Sequence, residues 1–242
     1  MGRLGYIARC IAHMDYGALF DTVGEVHERS GKNRAGLFVD IVKCGFKFGA
    51  GYKDYLLLEF ETMTDAQRAT FVTRGVNNSI VKMLNDFAYY HIFDNKNEFY
   101  TVLSDGEANA VYACIRMGNS DRPVDNINAG GMYSPIDMET GKIAGFACDK
   151  QFRVYEAHPR TGTVLTGYQI PMWDEVIAMC CEAAHVVPQM GYLGWDVAIT
   201  GDGPLFIEAN NMPGHDAFPQ MPTQAPDKIG FKPQLQRYIK GL

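Results

Sequence analysis

Asp196, Glu208 and Asn210 are three oxygen-bearing side chains in the stretch "GWDVAITGDGPLFIEANNMPGHD", residues 194–216. Carboxylate and amide oxygens in that number suit a divalent cation. Mg²⁺ in particular is held by one or two carboxylates, with substrate phosphates completing its shell. The stretch reads as a β-hairpin, so side chains alternate faces: Asp196, Ala198 and Thr200 on one, Trp195, Val197 and Ile199 on the other. On the return strand Glu208 and Asn210 share a face with Phe206, opposite Leu205, Ile207 and Ala209. A three-residue loop of Gly201, Asp202 and Gly203 sets Ile199 against Leu205, Val197 against Ile207 and Asp196 against Glu208, which makes one face wholly apolar. A two-residue loop would shift the pairing by one and mix the faces. Two carboxylates opposite one another repel and push one pKa upward, so a positive partner is expected there. An ordinary hairpin with a solvated acidic face is the other reading of the same pattern.

The elements that position this hairpin divide in two along the chain. Over residues 1–100 the pattern is helical: Leu37, Ile41, Cys44 and Phe48 recur at helical spacing before Gly49 and Gly51, which suit a helix stop. Thr64 and Gln67 make a capping-box pattern, and "NNSIVKMLND" and "DFAYYHIFDNKNEF" continue in helical texture. From Thr101 the texture turns to strands. Hairpins are expected in "TVLSDGEANAVYACIRM" and "IDMETGKIAGFACD". A helix is expected from Met172 to Val187, its apolar stripe formed by Val176, Ile177, Cys180, Ala183, Ala184 and Val187, with Pro188 ending it. From Met212 the tail is expected to be irregular up to a short amphipathic end, "QLQRYI".

Composition narrows the partners. The 242 residues carry a net charge of -6, which argues against a broad basic surface for nucleic acid. No apolar run approaches the roughly 18 to 20 residues of a membrane span. The six cysteines are scattered without zinc spacing, which predicts reduced thiols and a cytoplasmic location.

The order Asp196, Glu208-Ala209-Asn210, Pro213-Gly214 resembles the C-terminal signature of ATP-grasp enzymes. "IRMGN", "VDNINAGGMYSPID", "GYQIPMWDEV" and the upstream "CGFKFGAGYKDY" are similar to the sugar-transfer-associated branch of that superfamily. The resemblance implies an α+β fold: an ATP-grasp-like back lobe of antiparallel sheet and helices over residues 101–242, preceded by the helical N-terminal region 1–100. It implies ATP and Mg²⁺ as cofactors, with Asp196, Glu208 and Asn210 holding the metals. Arg116 would meet the transferred phosphate, a role that fits a guanidinium fork. Asn126, Asn128, Gly130 and Gly131 would form the loop near substrate and phosphates, and Asn211, Gly214 and His215 would lie by the acceptor.

The implied reaction is activation of a carboxylate as an acyl phosphate and its capture by an amine or another nucleophile. The substrate would be a small molecule or glycan precursor. A kinase using the same metals and a non-catalytic binding or assembly module are the alternatives. The family's nucleotide-clamping front lobe, with its phosphate lysines and glycine-rich loop, has no counterpart between Tyr100 and Thr101. Either a lobe is missing from the sequence at that join or the molecule lacks it.

Overall fold

The structure, a computed structural model, describes residues 14–94, 108–119, 130–151, 153–214, 220, 222 and 225–242. Two helices open it, α1 (Tyr16–Ser30) and α2 (Arg34–Phe48). Asp15 and Asn33 cap them by accepting from Ala18 N–H and Ala35 N–H. Gly49 ends α2 in the left-handed conformation (φ 64°), where a glycine escapes the steric cost of a Cβ. Short helices α3 (Tyr52–Leu57) and α4 (Asp65–Arg68) flank a 3-10 turn at Phe60–Thr62, and Thr64 with Gln67 forms the expected capping box. The longer α5 (Arg74–Leu84) follows, then a 3-10 turn at Phe87–Tyr89 and α6 (Tyr90–Asp94). Leu19, Val26, Leu37, Ile41, Cys44, Tyr55 and Phe60 pack into the core of this region.

An ion pair spans the edge of that core, its arginine buried and its aspartate partly exposed. Arg68, 7% exposed, donates to both oxygens of Asp40 (3.0 and 2.7 Å) and twice to the Phe60 carbonyl (3.0 and 2.7 Å). The Tyr55 hydroxyl donates to the same Asp40 at 2.6 Å. Burial alone would raise the Asp40 pKa, but the bonds from Arg68 and Tyr55 outweigh it and hold the carboxyl below its ordinary value.

The strands follow in sequence. Strands β1 (Ala113–Met117), β2 (Met132–Ile136), β3 (Ala147–Asp149) and β4 (Val154–Tyr155) form one antiparallel sheet in that order. The expected hairpin around Thr140 is β2 with β3. That expected in "TVLSDGEANAVYACIRM" has residues 101–107 outside the described ones, and β1 pairs with β2. The join at Tyr100 and Thr101 also lies outside the described residues. Helix α7 (Trp173–Ala184) buries Trp173 against Met132, Ile136, Ala147 and Ile170. Its stripe is less deeply covered than its spacing predicts, with Cys180 and Cys181 only half-buried. Burial still pushes the Cys180 thiol up to about 11.

Strands β5 (Gly194–Thr200) and β6 (Gly203–Asn210) make a separate two-stranded ribbon. The tail packs back on the helices. Gln220, 1% exposed, accepts from Val72 N–H (2.6 Å) and Phe231 N–H (3.0 Å) and donates to the Val72 carbonyl (3.0 Å). Leu235, in the last helix α8 (Lys232–Leu235), and Ile239 bury themselves beside Val72 and Ile80. These two are the apolar face of the amphipathic end. The chain is thus α+β, with helices and an antiparallel sheet sharing buried contacts. Among the described residues no helix is long and apolar enough to cross a membrane.

Candidate metal and phosphate site

The ribbon reaches the expected opposition of Asp196 and Glu208 by an unexpected route. Its loop has two residues, Gly201 and Asp202, since Thr200 pairs with Gly203 and Ile199 with Pro204. Uncorrected, that loop would bring Ile207 opposite Asp196. A β-bulge intervenes: Val197 pairs with Phe206 and Asp196 with Glu208, leaving Ile207 as an extra residue on β6. Gly203, at φ 132°, takes the conformation at the loop exit that only glycine adopts readily.

The bulge corrects the expected apolar face. Phe206 lies opposite Val197 and so joins the Trp195 side, its ring 4.9 Å from the Trp195 ring, instead of the Glu208 side. Leu205 and Ile207, expected on the packed face, are 56% and 57% exposed. The physical reason is the period of two: between a two-residue loop and the bulge every side chain of β6 is turned over, and beyond the bulge the faces return.

Asp196 and Glu208 therefore share one side of the ribbon, and Asn210 follows Glu208 on it, its amide Nδ2 3.4 Å from Glu208 Oε1. The positive partner is Arg116. It projects from the exposed side of β1 and donates Nη2 to Asp196 Oδ2 at 3.1 Å, joining the four-stranded sheet to the ribbon. Both side chains stay partly open, at 43% and 27% exposure. The donor set is all oxygen, two carboxylates and an amide, which fits a hard cation that completes its shell with phosphate and water.

Gly130 and Gly131 lead into β2 at the end where Met132 pairs with Met117, one residue beyond Arg116. Gly130 has φ 92° and is exposed. The structure thus brings this turn to the same sheet end as Arg116. Asn126, Asn128 and His215 lie outside the described residues. Asn211 and Gly214 are described: the Asn211 carbonyl accepts from Asn85 Nδ2 at 2.8 Å, and Pro213, beside Gly214, accepts from Asn77 Nδ2 at 3.1 Å.

Two anchors escaped the sequence reading. Asp149, 2% exposed, opposes Met132 and accepts from Arg153 Nε (2.6 Å), the Tyr155 hydroxyl (2.9 Å) and the Gln151 and Arg153 N–H groups (2.9 and 3.0 Å). Burial would raise its pKa, and these bonds hold it below its ordinary value instead. It fixes the strand beside Gly131. Asn85 clamps the far end of the ribbon, donating to Tyr192 O and Asn211 O and accepting from Tyr192 N–H, each at 2.8 Å. The only sequence signal for Asn85 is a polar residue just past a helix end, which is common.

Comparison with known proteins gives the family. The model of the family described as sugar-transfer associated ATP-grasp matches residues 100–237, more than half of the chain. The chain belongs to that ATP-grasp family. The match takes in the four-stranded sheet and the ribbon, and "CGFKFGAGYKDY" lies upstream of it. No curated protein and no solved structure matches the chain.

Proposed function

We propose that the chain is the back part of an ATP-dependent ligase that activates a carboxylate as an acyl phosphate and passes it to an amine or another nucleophile. The observation that carries this reading is the opposition of Asp196 and Glu208 with Arg116 donating to Asp196, in a chain of the ATP-grasp family. Magnesium, when bound, neutralises phosphate charge and holds the γ-phosphoryl group in line. Asp196, Glu208 and the Asn210 oxygen would hold it. Arg116, with a planar fork of five N–H donors, would meet the phosphoryl oxygens, where charge develops during transfer. Gly130 and Gly131 would admit backbone N–H groups close to the same anion. Asn211 and Gly214 would border the acceptor. Asn126, Asn128 and His215 join them as candidates from the family resemblance. The helical residues 1–100 and the remainder 101–242 would act as two domains, with the nucleotide clamp completed by a further lobe.

Glu208→Gln tests the reading, since it keeps the size of the side chain and removes one metal-binding charge. ATP turnover should be abolished with the melting temperature unchanged, and undiminished turnover would reject the assignment. A second reading, a non-catalytic ATP-grasp module, draws on one observation: only residues 95–112 separate α6 from β1. Mg-ATP at 100 times its dissociation constant should stabilise a true binder by about 2.7 kcal/mol. Absence of that shift in the purified full-length chain favours the module.

A further inference from the structure

The ribbon that carries Asp196, Glu208 and Asn210 pairs with no other strand among the described residues. The Arg116–Asp196 bond that joins it to the four-stranded sheet is partly open to water, and such a pair is too weak to fix where a strand lies. The placement of the two acids against Arg116 therefore depends on what holds the ends of the ribbon. Helix α5 holds both.

The chain enters β5 through residues 189–192, which run beside the end of α5. Leu84 O accepts from Gly191 N–H and Asp86 N–H donates to Gln189 O, each at 2.9 Å. Asn85, 7% exposed, spends its whole amide at the same place, with Oδ1 bonded to Tyr192 N–H and Nδ2 to the carbonyls of Tyr192 and Asn211. Asn211 follows Asn210, so one side chain ties the entry of β5 to the exit of β6. About two turns earlier on α5, Asn77 adds a second hold, its Nδ2 donating to Pro213 O at 3.1 Å. Pro213 in turn lies against Gly194, where a Cβ would come within 3.1 Å of the proline Cβ. Asn77 is 4% exposed, and its Oδ1 is buried without a hydrogen-bond partner. An unpaired buried acceptor costs stability, so an apolar side chain would suit this spot better if packing were all that mattered. What the amide adds is the hold on Pro213.

The same helix supports the arginine side of the site. Ile80 and Leu84 of α5 belong to an apolar cluster into which Tyr112 and Tyr192 both pack. Tyr112 stands four residues before Arg116, and Tyr192 four before Asp196, so the two strands that bring this pair together start from one support. We infer that Asn77 and Asn85 are positioning residues: from the helical region, outside the matched residues 100–237, they set where Asp196, Glu208 and Asn210 lie relative to Arg116. The inference rests on the reading of those side chains as metal ligands, but the anchoring itself is measurable without a metal.

The test is hydrogen–deuterium exchange over residues 194–210 of the full chain without ligand, together with Mn²⁺ binding in the presence of ATP, followed by electron paramagnetic resonance. Groups that hold metal ligands in place typically contribute about 10–100-fold to affinity or activity, so Asn85→Ala should weaken Mn²⁺ binding at least tenfold. It should also speed exchange in the ribbon at least tenfold, and Asn77→Ala, which loses one bond, should change both in the same direction by less. The control is Ile41→Val or Ile41→Ala, whichever matches the melting temperature of Asn85→Ala, since Ile41 lies in the helical core away from the ribbon. It should leave both readouts within twofold of the wild type. Equal effects from the control and the asparagine variants make the asparagines ordinary contributors to stability and overturn the inference. So does faster exchange with undiminished Mn²⁺ affinity, because the anchors then do not bear on the ligands. If Asn85→Ala does not fold, Asn77→Ala carries the same comparison against its own matched control. Absence of Mn²⁺ binding in the wild-type chain rejects the metal-site reading, and ribbon exchange that speeds in the asparagine variants but not in the control then upholds the anchoring by itself.

Discussion

The helical region and the sheet region each hold an arginine against an aspartate, and the two pairs are built for different ends. Arg68 is buried, forks onto both oxygens of Asp40, shares the Phe60 carbonyl and lies over the Tyr55 and Phe60 rings at 5.9 and 6.0 Å. Arg116 meets Asp196 at 3.1 Å with both side chains partly open to water. A buried charge that loses its partner is left desolvated without compensation, whereas an exposed one returns to water at little cost. The two aspartates are similarly exposed, at 33% and 27%, and it is the arginine that differs: 8% for Arg68, which is fixed in place, and 43% for Arg116, which is open to a ligand in the proposed reading. Net pair chemistry is the same in both; the burial of the arginine sets them apart.

The largest effect that would test this contrast is Arg68→Ala. It should destabilise the protein by about 2–3 kcal/mol in denaturant titration, because Asp40 and the Phe60 carbonyl lose their donors together. A loss below about 1 kcal/mol would erase the distinction between the pairs. Asp40→Asn should cost less, on the order of 1–2 kcal/mol, since the amide still accepts one bond.

Acid sharpens the same comparison. The folded Asp40 carboxyl lies below its ordinary value, so its contribution is fully present above the unfolded pKa of about 3.9 and is lost as pH falls through the lower folded value. Unfolding free energy should therefore drop below about pH 4, and the drop should be shallower in Asp40→Asn. Equal slopes in the two proteins would show that another acid is responsible.

Arg116→Ala should change stability by no more than about 1 kcal/mol while removing Mg-ATP turnover. Arg116→Lys, which keeps the charge and loses the fork, should restore only part of it. A stability loss as large as that of Arg68→Ala would make Arg116 a structural residue. Smallest of all should be Ile207→Ser, below about 0.5 kcal/mol, because the bulged side chain is exposed. Phe206→Ala, at about 1 kcal/mol, should exceed it through the lost contact with Trp195.

Much of the local architecture is legible in sequence. The stop at Gly49, the box at Thr64 and Gln67, and the hairpin between β2 and β3 follow from residues a few positions apart, where capping and turn chemistry act within one turn. The opposition of Asp196 and Glu208 is legible too, though for a partly mistaken reason. A three-residue loop without a bulge and a two-residue loop with one both end in that pairing, so the opposition of the acids does not identify the register between loop and bulge. That ambiguity cost Phe206, Leu205 and Ile207 their assigned faces.

What the sequence determined by itself is the family, the alternation of helices before strands, and the carboxylates that lie across the ribbon, because these rest on short-range periodicity and a local motif. Tertiary structure alone decided that Arg116 meets Asp196 across 80 positions, that Asn85 ties α5 to Tyr192 and Asn211, and that Arg68 closes on Asp40. Such contacts carry no periodic trace in the chain. They depend on which surfaces the cores bring together, and a guanidinium or an amide looks the same in sequence whether it ends up buried or facing water.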